Sequence, residues 1–142
     1  MTIARLIEGR STDVVGCTVA MKVRDAVALM AERRIGALPV MDGHAIAGIF
    51  SERDVIYRLK DHGPAVLDMA VGQVMTSPAI TVDPATPVLE ALGLMTRRRI
   101  RHLPVLIGGR MAAFISIGDM VKYRIDHIQG EADALRDYIQ MA

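Results

Sequence analysis

The sequence has no tryptophan, one cysteine, two phenylalanines and three tyrosines among its 142 residues. A lone cysteine, Cys17, excludes an internal disulfide framework and fits a reducing compartment. So few aromatics leave little on which to stack the bases of a single-stranded nucleic acid. No apolar run approaches the roughly 20 residues that span a bilayer. The opening "MTIARLIEGR" also lacks the apolar core of a signal peptide. These absences point to a soluble cytoplasmic protein with no membrane partner. A large charge of one sign is missing too, since 17 basic residues face 16 acidic ones for a net +1. That balance is not the signature of a nucleic-acid binder.

What is present is an aliphatic, methionine-rich chain. Apolar residues make up 51% and methionines number ten, enough for an adaptable, well-filled core. The charge is unevenly spread. Residues 97–124 carry +6, flanked by segments 63–96 and 125–142 at −3 each. Much of the basicity lies in "RRRIRHLPV" (97–105), whose first part has a twin in "RRIGALPV" (33–40).

The twin belongs to an internal repeat. A shift of 65 residues aligns 23–56 with 88–121 without a gap, and 14 of the 34 paired positions are identical. Such self-similarity marks a duplication. In each copy apolar residues recur at helical spacing: Val23, Val27 and Met30, then Val88, Leu92 and Met95. A strand follows ("ALPVM" or "HLPVL"), with proline near its start where a missing N–H is best tolerated. Asp42-Gly43 and Gly108-Gly109 signal hairpin turns into a second strand and a further helix. Short apolar strands are expected ahead of each copy, at 13–17 and 78–82. The pattern predicts an α+β fold of two β-α-β-β-α units packed about a pseudo-twofold axis. The expected units are 10–62 and 78–127, with a connector at 63–77 and a helical extension at 128–142. A unit of about 60 residues is marginal alone, so the two should pack together and leave clefts between them, where ligands commonly bind.

Where the second strand meets the following helix, both copies keep Ser-x-x-Asp: Ser51 with Asp54, and Ser116 with Asp119. One reading is a capping box that satisfies orphan N–H groups of the helix. A second is a ligand site, because a helix N-terminus attracts phosphate and a nearby carboxylate can accept from ribose hydroxyls. The same residues can do both.

The helix, the "LPV" strand, the second strand and the "GIFSERD" or "AFISIGD" helix entry together resemble the tandem CBS (cystathionine β-synthase) domain pair, over residues 10–127. The closest likeness is to small stand-alone bacterial CBS pairs. The resemblance implies a non-catalytic regulatory module that binds AMP, ADP or ATP. NAD(H) and S-adenosylmethionine are the alternatives that share the adenosine. It implies that Asp54 and Asp119 take ribose hydroxyls and that Ser51 and Ser116 touch phosphate. It implies that Val14, Val15 and Gly16 line one adenine pocket and Ala79, Ile80 and Thr81 the other. Arg101 and His102, just before "LPV", are expected to face phosphate beside the helix entry at Ser116. Copy one has Gly36 and Ala37 at those positions, so the two sites should not be equivalent.

Other chemistry finds little support. The four histidines (44, 62, 102, 127) are scattered, no metal-ligand spacing occurs, and no nucleophile elbow is present. Arg97, Arg98 and Arg99 fan over roughly 200° of a helix and cannot form one stripe along a groove. They read either as a solvated helix end or as phosphate or partner contacts, with nucleic acid a minor alternative. Val121, Ile125, Ile128, Ala132, Leu135 and Ile139 fall at alternating spacings of four and three, an a/d seam. The seam packs either back on its own chain or in a homodimer, of which the homodimer is the expected partner. With no catalytic segment in the sequence, a regulated protein of unknown identity is expected as well. A ligand-free interaction homodimer is the competing function.

Overall fold

The computed structural model describes residues 1–11 and 13–141. Its elements run α1 (Ile3–Ile7), β1 (Cys17–Thr18), α2 (Val23–Arg33), β2 (Ala37–Asp42), β3 (Ala45–Ser51) and α3 (Glu52–His62). A 3-10 helix (Gly63–Asp68) and α4 (Val71–Val74) lead to α5 (Val88–Arg98), β4 (His102–Ile107), β5 (Arg110–Ser116) and α6 (Ile117–Met141).

The duplication seen in the sequence is repeated in detail. The helix α2 buries Val23, Ala26 and Met30, and α5 buries the matching Val88, Ala91 and Met95. Both helices end on an arginine in the left-handed region, Arg34 at φ 54° and Arg99 at φ 52°. That turn lets the chain reverse into the next strand. β2 pairs antiparallel with β3 and β4 with β5, each with a register shift after the first residue beyond proline, at Val40/Met41 and at Val105/Leu106. Glycines at positive φ make the hairpin turns: Gly43 in the first copy, Gly108 and Gly109 in the second.

The strands expected ahead of each copy are shorter than the apolar runs suggest. Only Cys17 and Thr18 pair in parallel with β2, and only Val82 bridges to Val105. The residues before Val82 are drawn to a cleft instead, as described below. The segment 63–74 is also more than a connector. Val66, Val71 and Val74 are buried with Phe50, Leu38 and Val40 in the first core. The second core holds Val88, Met95, Leu103, Ile115 and Met120, and it is completed by Ile3 and Leu6 from α1. Backbone bonds fasten α1 there, from Ile3 N–H to Thr86 O (2.9 Å) and from Val88 N–H to Met1 O (3.1 Å). Each core is therefore closed by the segment that precedes the other copy. α6 runs unbroken through Gly130, and only Met120 of its 25 residues is buried.

Candidate functional site

Among the described residues Asp54 is the one buried charged side chain, 9% exposed, in the first turn of α3. Its Oδ2 accepts the Ser51 N–H at 2.8 Å and the Ser51 hydroxyl at 3.2 Å, the carboxylate half of a capping box. Its Oδ1 accepts the Thr76 hydroxyl at 2.9 Å. A carboxylate offers about four acceptor positions, so a further donor can still be received. Thr76 is held in place by two backbone bonds to Ile49, of 2.9 and 2.8 Å. Gly48 makes this approach possible, because a Cβ there would lie 2.5 Å from Thr76 O and 2.9 Å from Met75 Sδ.

Asp54 stands at the edge of a cleft of about 370 Å³ between the copies. One wall is apolar, formed by Ile49, Pro78, Ala79, Ile80 and Ile100. The other is basic, with Arg53, Arg98, Arg99, Arg101 and His102 beside Glu52. Arg53 Nη1 donates to Arg99 O at 2.8 Å and ties α3 to the end of α5. His102 stacks on Phe114, with ring centroids 5.3 Å apart and planes 16° from parallel. Burial lowers the His102 pKa below 6.5, and Arg101 pushes the same way, against the opposing pull of Asp119 and Glu52. A wider groove of about 640 Å³ shares Gly36, Glu52, Arg101 and His102 and extends over Val27, Ile35 and Ile56.

The residues singled out from the sequence are only partly gathered here. Ser51, Asp54, Ala79, Ile80, Arg101 and His102 line the one cleft. Arg101 and His102, expected beside Ser116, line the cleft together with Ser51 and Glu52 of the first copy. The link to Ser116 is through the backbone, by strand pairing of His102 with Ser116 and by the Ile117 N–H bond to Arg101 O (2.8 Å). Thr81 lies apart, in a shallow depression with Asp83, Glu90 and Arg97. Val14 lines another with His44 and Arg110. Val15 packs on the first core, and Gly16 lies against Pro39.

Ser116 and Asp119 form their own capping box, with Ser116 N–H to Asp119 Oδ2 at 2.9 Å and Asp119 N–H to Ser116 Oγ at 3.1 Å. Arg10 grips this carboxylate at 3.0 Å. Burial alone would raise the Asp119 pKa, but the hydrogen bonds and charge from Arg10, with the Ser116 bonds, outweigh it and hold it below 3.8. Thr76 and Arg10 were not anticipated. Carrying the 65-residue shift further back would have found the first, for it sets Thr76 opposite Ser11, a hydroxyl in each copy.

No helix among the described residues is long and apolar enough to cross a membrane. The CBS domain model matches residues 7–61 and 71–126. The mitochondrial CBS domain-containing protein CBSX3 of Arabidopsis thaliana is 39% identical over 140 residues, which is 94% of this chain and 68% of that protein. Some curated relatives are much longer: the chain spans 33% of a Thermofilum pendens protein and 22% of a Mycobacterium leprae inosine-5'-monophosphate dehydrogenase. A solved protein with CBS domains from Burkholderia ambifaria is 39% identical at TM-score 0.82, covering 89% of this chain and 95% of that one. CBSX2, solved in complex with AMP, shares the fold at TM-score 0.74 and 23% identity, covering 88% and 96%. With both halves of the duplication matched by the CBS model, this chain belongs to the CBS domain family, as a tandem pair followed by a C-terminal helical extension.

Proposed function

We propose that this pair senses an adenine nucleotide (AMP, ADP or ATP) held in the Asp54 cleft. CBS pairs of this structural class are regulatory and non-catalytic modules. One observation carries the reading: a single cleft joins a buried carboxylate with acceptor capacity to spare, an apolar slot and a basic wall. Asp54 would accept from the ribose hydroxyls, and the base would lie between Ile49, Ala79 and Ile80. The phosphates would meet Arg98, Arg99, Arg101, His102 and the N-terminus of α3. The volume falls in the range of small-molecule pockets. CBSX2 binds AMP on the same fold.

Charge orders the candidate ligands. Four arginines against Glu52 and Asp54 favour a polyanion, so ATP should bind better than AMP, and AMP better than the sulfonium of S-adenosylmethionine. NAD(H) could extend along the wider groove. Because the cleft walls come from both copies, ligand contacts would shift the equilibrium between two arrangements of the pair, by as much as its affinities for them differ. The output would pass to a regulated protein on another chain through a homodimer built on the α6 seam.

Isothermal titration with AMP, ADP, ATP, NAD(H) and S-adenosylmethionine tests this reading. Asp54→Asn keeps one acceptor oxygen but loses the charge, and should weaken nucleotide binding by about ten- to a hundredfold. No binding of any adenosyl compound at millimolar concentration overturns the proposal.

A further inference from the structure

The two copies treat their matching carboxylates differently. Asp54 receives a neutral hydroxyl from Thr76 at 2.9 Å. Asp119 receives a guanidinium: Arg10 Nη2 lies 3.0 Å from Oδ1, and Arg10 Nη1 donates to Oδ2 at 3.3 Å. The repeat register makes the comparison residue by residue. Cys17 pairs with Val40 and Val82 with Val105, both in parallel, and the second pairing is the first shifted by 65 residues. At that offset Arg10 matches Met75 and Ser11 matches Thr76. The Ser11 hydroxyl accepts the Asp13 N–H at 3.1 Å, so the second copy has exchanged a hydroxyl partner for a cation from the adjacent position.

The exchange matters for what Asp119 can still accept. Both its oxygens are engaged by a fork of donors, and Oδ2 also takes the Ser116 N–H. A charge-assisted, two-pronged contact is stronger than a neutral hydroxyl bond. A ribose diol seeking this carboxylate must displace it.

We infer that Arg10 makes the two Asp-bearing helix entries unequal as nucleotide sites: it occupies the carboxylate of the second copy, so nucleotide fills the Asp54 cleft first and reaches Asp119 only when Arg10 lets go. This inference rests on the nucleotide reading of the Asp-bearing helix entries. The Arg10 and Asp119 side chains are 38% and 33% exposed, so solvent screens the pair and the latch can open. It weakens the second site rather than abolishing it, by about fivefold.

Calorimetric titration of the full chain with AMP tests this. The wild type should show two unequal sites, and Asp54→Asn should weaken the tighter one. Arg10→Met, which copies Met75 of the first copy, should tighten the weaker site about fivefold and leave the tighter one unchanged. In Arg10→Met/Asp119→Asn the gain should vanish. Two equal sites in the wild type, or a weaker site that Arg10→Met leaves unaltered or loosens, overturns the inference while the nucleotide reading stands. Absence of heat in every variant overturns both.

Discussion

At the scale of the residue, His102 is where the cleft meets proton chemistry. It is stacked on Phe114, and burial holds its pKa below the usual 6.5. A folded-state pKa below the unfolded one means the unfolded chain binds more protons in that interval. The stabilising contribution is thus complete above about pH 6.5 and is lost as pH falls through the depressed value. Urea midpoints measured between pH 7 and 5 should decline in the wild type, and His102→Gln should flatten that decline. An anionic phosphate beside the ring would raise its pKa again, so nucleotide binding should take up protons in the same window. From the sequence, the resemblance set His102 beside the helix entry at Ser116. Its place in the Asp54 cleft follows from the packing of the two copies, which one sequence does not display.

At the scale of the element, β3 and the segment 75–80 form one device. Gly48 lets Thr76 pair with Ile49, and that pairing sets the Thr76 hydroxyl on Asp54. Gly48→Ala would drive a methyl into backbone at 2.5 Å. It should destabilise the fold by about 1–3 kcal/mol, measured by denaturant unfolding, and weaken nucleotide binding by moving Thr76. The second copy carries Ala113 at this position, and it is buried there without such an approach. The elements themselves were legible, since α2, α5 and both hairpins fall where period and turn residues place them. The leading strands were not, because the apolar run 78–82 reads the same whether it pairs in a sheet or lines a cleft. Pro78, Ala79 and Ile80 line the cleft, and only Val82 bridges to β4. Ser-x-x-Asp was legible as a cap: the reciprocal pair of bonds forms in the second copy, and the first keeps the bond from the Ser51 N–H to Asp54. What else touches each aspartate depended on residues distant in sequence, Thr76 for one and Arg10 for the other.

At the scale of the whole molecule, the apolar surface lies along α6 and α3. Val121, Ile125, Ile128, Leu135 and Ile139 are exposed, and so are Ile56, Tyr57 and Leu59. A helix showing an a/d seam to solvent over this length matches a second copy of itself. On the proposed homodimer, light scattering should find a dimer for the wild type and a monomer for Ile125→Glu with Leu135→Glu, with far-UV circular dichroism nearly unchanged. A monomeric wild type would assign the seam to some other partner.

The exchanged closing segments have a consequence for how such a molecule can exist at all. α1 seals the core of the later copy, and residues 63–74 seal that of the earlier one. A copy cut free would keep its hairpin and helices but expose Val88 and Met95, or Val23 and Phe50, until another molecule lent it a cover. Tandem linkage makes that loan internal. Folding then depends on tether length instead of on protein concentration, and the two halves share one fate, since neither can open without uncovering the other.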